Sequence, residues 1–147
     1  MTDPTFTPSH LGLCVADLER ALRFYCDGLG FTSAEAYPIG NEWGNSLEVE
    51  GEVKLTSHFV RKDGMAIELL HYESPGVIGE PSQHRNQLGI THLSFWVADV
   101  AAATARLVDC GGTVLEGTRA TGDMELVFLA DPDGTRVELM HAPAAAG

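Results

Sequence analysis

The sequence predicts an α+β fold built from two βαβββ modules in tandem. Three observations carry this. The stretch from His10 to Thr32 returns from His92 to Val114, with eight of 23 positions identical. The stretch Asp63–His71 returns as Asp133–His141, with five of nine identical. Both halves therefore open on a histidine strand and close on a glutamate strand, and a duplicated module is the simplest reading. Finally, a Pro-, Gly- and polar-rich stretch, ESPGVIGEPSQHRNQLG, lies between the halves as a linker. The expected boundaries are 1–73 for the first module, 74–88 for the linker and 89–147 for the second.

The elements follow from periodicity. HLGLCV alternates apolar and small residues and reads as a strand. DLERALRFYCDGLG opens on an Asp N-cap, repeats Leu18, Leu22 and Tyr25 at helical spacing and ends on glycine. FTSAEAYP, VKLTSHFVRK and MAIELLHY supply three further strands. IGNEWGNSLEVEG, present in the first module alone, reads as an inserted loop placed to cover a site. The second half repeats the order with THLSFWVAD, the helix DVAAATARLVDCGG, then TVLEGT, MELVFLA and TRVELMH.

Strand parity then sorts the side chains, because neighbours along a strand face opposite ways. Leu11, Leu13 and Val15 share one face, and His10, Gly12 and Cys14 the other. Leu93, Phe95 and Val97 likewise oppose His92, Ser94 and Trp96. Glu68 stands between Ile67 and Leu69, and Glu138 between Val137 and Leu139. Two histidines and two glutamates thus leave their strands away from the apolar side. A mid-strand carboxylate with apolar neighbours is costly unless it is paired or holds a metal. Any one of the four reads equally as an ordinary buried polar residue. Together, at matching places in both modules, His10, Glu68, His92 and Glu138 suit a divalent transition metal: Ni, Co, Zn, Mn or Fe.

Composition narrows the partners. A formal net charge of −12 argues against nucleic acid and anionic membrane surfaces. No apolar run approaches the roughly 20 residues of a membrane span. The start MTDPTFTPS lacks the basic and apolar regions of a secretory leader. Cys14, Cys26 and Cys110 are odd in number and lack metal-binding spacing, which fits a reducing cytoplasm.

The chain resembles the vicinal oxygen chelate superfamily, which includes glyoxalase I, methylmalonyl-CoA epimerase, extradiol dioxygenases and bleomycin- or fosfomycin-resistance proteins. The resemblance runs from His10 to His141. It rests on the opening H-x-x-x-x-V-x-D-L…F-Y…L-G-F and the ending D-P-D-G-x-x-x-E-L. It implies paired modules whose mixed sheets curl into a cup with helices outside. It also implies a metal held by His10, Glu68, His92 and Glu138, the bacterial glyoxalase I ligand set, and a homodimer. Two departures argue against glutathione as co-substrate. Glutathione-using glyoxalases resemble one another in an Arg four residues after the first His, where this chain has Cys14, and an Asn four after the first Glu, where it has Tyr72. Methylmalonyl-CoA epimerases carry Gln where this chain has Glu68.

The hairpin DPDGT suits a three-residue loop that pairs Asp131 with Thr135 and so sets Phe128 opposite Glu138. Carried back by the repeat offset, the same register sets His58 opposite Glu68, as an acid/base candidate. The resemblance sharpens that role, since extradiol dioxygenases place an acid/base His about there. His71 and His141 fall on the other face and read as structural. Cys14, Trp43, Trp96, Phe128 and Met140 are candidate walls of a substrate pocket.

The leading expectation is a metal-dependent lyase, isomerase or epimerase acting on a small molecule. The metal would chelate vicinal oxygens and stabilise an enediolate. Glu68 or Glu138 would act as general base, helped by His58. A six-coordinate ion with four protein ligands keeps two positions open; a tetrahedral zinc would be closed and structural. The alternatives are an Fe(II) ring-cleaving dioxygenase on His10, His92 and Glu138, and a non-catalytic antibiotic binder. Glu68 weighs against the first, because it fills a position oxygen needs, and the retained ligand set weighs against the second.

Overall fold

A computed structural model describes residues 2–143; the ends of the two expected modules, Met1 and 144–147, lie outside the described residues. Two four-stranded mixed sheets form, with few helices. The first holds β1 (Leu11–Cys14), β2 (Thr32–Ile39), β3 (Lys54–Lys62) and β4 (Met65–Ser74) in the order β1-β4-β3-β2. The second holds β5 (Leu93–Val97), β6 (Thr113–Val114), β7 (Leu126–Ala130) and β8 (Arg136–His141) in the order β5-β8-β7-β6. In both, the opening strand pairs parallel with the closing strand, and the other neighbours are antiparallel.

The chain groups into two units, Met1–Leu18 with Phe31–Val77, and Glu19–Gly30 with Ile78–Gly147. The helical residues after Leu18 thus belong with the second sheet rather than with the strands they connect in sequence. In the first unit the apolar face is built from Val15, Val60, Ile67 and Leu69, all buried. The inserted stretch is helical rather than a plain loop: a 3-10 turn, Asn41–Trp43, runs into α2 (Gly44–Leu47). Asn41 Oδ1 fixes it by accepting the Val53 N–H at 2.6 Å.

In the second unit α3 (Val100–Asp109) starts on Asp99, whose carboxylate accepts the Ala102 N–H at 2.9 Å, the expected N-cap. Its buried Val100 and Leu107 join Leu93, Val127, Leu129, Val137 and Leu139 in the core. The first helix, α1 (Leu18–Leu22), widens into a π-helical stretch over Arg23–Gly28. That stretch buries Phe24 and Tyr25 in this unit. A Cβ on Gly28 would lie 3.0 Å from Leu107, and one on Gly112 would lie 2.8 Å from Phe24, so glycine allows both close approaches. Tyr25 donates to buried Asp131 at 2.9 Å, and the other Asp131 oxygen accepts the Asp133 and Thr135 N–H groups. Burial raises the Asp131 pKa above the usual carboxylate value, and these three donors oppose the rise. Among the described residues no helix is long and apolar enough to cross a membrane.

Candidate functional site

Strand parity holds in both units. In the first, burial alternates along β1, and Glu68 is half-buried between fully buried Ile67 and Leu69. Gly12 lies beside Glu68 on parallel β1 and β4, which brings His10, just before β1, to the same edge of the face. His10 Nε2 is 3.0 Å from Glu68 Oε2. The other ring nitrogen, Nδ1, is 2.8 Å from the Ser9 hydroxyl. Ser57 Oγ donates to Glu68 Oε1 at 2.6 Å. Phe59 is directly opposite Glu68, with its ring edge-to-face against His10 at 5.1 Å.

The second unit repeats the arrangement. His92 Nε2 is 3.7 Å from Glu138 Oε1, and His92 Nδ1 is 2.7 Å from the Thr91 hydroxyl. Phe128 is opposite Glu138, with its ring edge-to-face against His92 at 5.2 Å. Here the carboxylate takes its hydroxyl from the opening strand: Ser94 Oγ donates to Glu138 Oε1 at 2.7 Å. In the first unit Gly12 fills that place, and Ser57 of β3 supplies the hydroxyl instead.

Each His–Glu pair has the chemistry of half a metal site. A hydroxyl engages Nδ1 and leaves Nε2 toward the carboxylate, as an outer partner orients a ligating imidazole. Two ligand atoms of one ion lie about 3.0–3.4 Å apart when bonds are ~2.1 Å long. The observed 3.0 and 3.7 Å bracket that spacing. Among the described residues no group of three or more His, Cys, Asp or Glu is gathered for a metal.

His58 requires a correction. It pairs with Leu69, not Glu68, and therefore shares the face of Val60 and Ile67. Its Nε2 is 2.7 Å from the Ser33 hydroxyl. The cause is loop length. The second hairpin closes over Asp131–Thr135 as expected, with the Asp131 N–H donating to the Thr135 carbonyl at 2.8 Å. The first turns on two residues between Lys62 and Met65, Asp63 and Gly64, with φ of 48° and 81°. The repeat offset carries a three-residue loop onto a two-residue one, and a one-residue slip moves a side chain to the other face. Two consecutive positive φ angles mark a type I′ turn, and Asp-Gly is its sequence signal.

The proposed pocket residues divide. Trp96, Phe128 and Met140 share the Glu138 face, with Trp96 and Met140 paired across β5 and β8. Cys14 is exposed beside Leu70 on the Glu68 face. Trp43 lies on the helical insertion, half-exposed, and on no strand of that face. His71 Nδ1 is 3.2 Å from the Val15 carbonyl and His141 is exposed, so neither joins the carboxylates. Ser57, Phe59 and Tyr72 escaped the sequence reading as site residues. Tyr72 shares the Glu68 face, and burial, then the negative potential of Cys14 and Glu68, raises its phenol pKa. Its spacing of four from Glu68 was the available signal.

The repeated βαβββ order agrees with the known proteins this chain is similar to. The glyoxalase/bleomycin resistance protein/dioxygenase superfamily model matches residues 7–139. The chain belongs to this superfamily. It is 28% identical over 137 residues to a catechol-2,3-dioxygenase of Bacillus subtilis, covering 89% of this chain but 41% of that protein. It is 26% identical over 136 residues to a probable lactoylglutathione lyase of Synechocystis, covering 90% and 92%. A solved glyoxalase family protein from Bacillus cereus has the same fold, with a TM-score of 0.81, 17% identity and 95% of both chains covered. A fosfomycin resistance protein from Listeria monocytogenes, solved with Mn(II) and sulfate, aligns with a TM-score of 0.60 at 17% identity over 96% of each chain.

Proposed function

We propose that this superfamily member is a metal-dependent enzyme of the glyoxalase type, a lyase, isomerase or epimerase acting on a small substrate. His10 and Glu68 from one unit and His92 and Glu138 from the other would hold one divalent transition metal, within a homodimer. The observation that carries this reading is the repeated pair. In each unit a hydroxyl on Nδ1 leaves Nε2 toward a glutamate, and a serine holds one glutamate oxygen. Duplication by itself would copy the histidine and the glutamate, but the serine on the glutamate comes from β3 in one unit and from β5 in the other.

The bound ion would supply a Lewis acid for two neighbouring substrate oxygens and for the charge that develops on them. Glu138, at 3.7 Å from its histidine against 3.0 Å for Glu68, is the less tied carboxylate and is assigned the proton transfer. Ser94 holds one Glu138 oxygen and so orients the other toward a carbon acid. Trp96, Phe128 and Met140 give that carboxylate an apolar surround. Trp96 is 55% exposed and so remains available to cover a substrate.

A second reading, Fe(II)-dependent ring cleavage, is supported by the similarity to the catechol dioxygenase. It loses its acid/base candidate with the placement of His58 and keeps the objection of a fourth ligand, Glu68. Elemental analysis and proton exchange separate the readings. The expected result is about one Ni, Co, Mn or Zn per chain, with solvent deuterium entering the carbon-bound position of an α-hydroxyketone, lost in Glu138→Gln. Iron with activity on catechols would favour ring cleavage. A metal-free protein that binds a small molecule without turnover would overturn both.

A further inference from the structure

We infer that the Glu138 face receives a substrate bearing a second, anionic group, a carboxylate, which Arg85 and Arg136 bind; this rests on the metal-centre reading above. The chain has nine Lys and Arg residues. Among the described residues seven of them meet a carboxylate or a backbone carbonyl. Arg85 and Arg136 meet neither, and both belong to one face. Arg136 alternates with Val137 along β8 and so shares the side of Glu138. Arg85 stacks over the Phe128 ring at 3.8 Å from its centre, and that ring also touches His92 and is paired with Glu138.

The first unit shows what this arrangement looks like when it is neutralised. Arg61 sits over Phe59 at 5.4 Å, and Glu35 takes its guanidinium at 2.9 Å. No carboxylate does so for Arg85 among the described residues. A local turn presents it, in which the His84 carbonyl accepts the Gln87 N–H at 3.2 Å and the Ser82 hydroxyl at 2.6 Å. A guanidinium stacked on a ring keeps its edge N–H groups for a planar, two-pronged anion, which a carboxylate fits. In a chain of net charge −12, two uncompensated cations on the ligand-bearing face supply a local attraction that the rest of the surface opposes.

Two probes share a chelating α-keto acid end and differ at the far end: α-ketoglutarate carries the second carboxylate and α-ketovalerate does not. By titration calorimetry on the metal-loaded protein, α-ketoglutarate is expected to bind about tenfold tighter, the scale of one charge-assisted two-pronged contact. Arg85→Gln should remove most of this preference, Arg136→Gln part of it, and the double variant all of it. Metal content and α-ketovalerate affinity should stay unchanged in each. Equal affinities in the wild type, or a preference that survives the double variant, would overturn the proposal. If the protein holds no metal and does not bind α-ketovalerate, the metal reading fails by itself. The arginines are then judged by α-ketoglutarate binding to the metal-free protein: binding lost in the double variant supports them, and no binding ends the proposal.

Discussion

Ser57 and Ser94 give a glutamate the same hydrogen bond from different strands, 2.6 Å to Glu68 and 2.7 Å to Glu138. At Glu68 the hydroxyl holds Oε1 and leaves Oε2 beside His10, whereas at Glu138 the held oxygen is itself the one nearest His92; such outer partners commonly contribute 10–100-fold to metal affinity. Ser94→Ala is therefore expected to weaken metal binding by about that factor, read by competition with a chelator. His58→Ala should leave metal affinity and turnover per metal nearly unchanged, because its ring meets Ser33 on the other face. A tenfold or greater loss of turnover in His58→Ala with full metal content would restore the acid/base role that its register argues against. The four His and Glu positions were legible because parity needs only alternation. Ser57 was not, because its reach to Glu68 depends on the pairing of β3 with β4.

Hairpins show where element-level reading holds and where it slips. Pro132, Asp133 and Gly134 sit at positions a three-residue loop requires, and Phe128 falls opposite Glu138 as the sequence implies. Asp63-Gly64 carried an equally good signal for a two-residue turn, which the repeat alignment overrode. The first helix shows a different limit. Its apolar spacing was readable, but its place with the second unit rests on contacts distant in sequence, such as Tyr25 with Asp131 and Arg106 with the Asp27 carbonyl. The turn itself is testable. At φ +81° Gly64 has nothing within 4 Å of an added Cβ, so the cost of Gly64→Ala is conformational alone. It should lower stability by about 1–2 kcal/mol in denaturant unfolding. Gly122→Ala, equally open but without a positive φ, should be close to neutral. Equal effects in the two would mean that the left-handed backbone is not what fixes the register of β3 and β4.

For the whole molecule, the consequence of duplication is that each unit brings one His–Glu pair, where the proposed metal centre wants two. The duplicate can complete the set within one chain or from a second copy. Two variants separate the routes without knowledge of the substrate. One carries His10→Ala and Glu68→Gln, the other His92→Ala and Glu138→Gln, and each is expected to bind no metal by itself. Co-expressed with different tags and purified as a heterodimer, they have one intact first pair and one intact second pair on opposite chains. If ligands are shared across a two-fold axis, those two pairs meet in one site while the other site is doubly disabled. Elemental analysis should then find about one metal per heterodimer, against about two for the wild-type dimer. A heterodimer without metal would show that each chain closes its own site. A monomer at micromolar concentration with a full metal complement would remove the dimer from the proposal altogether.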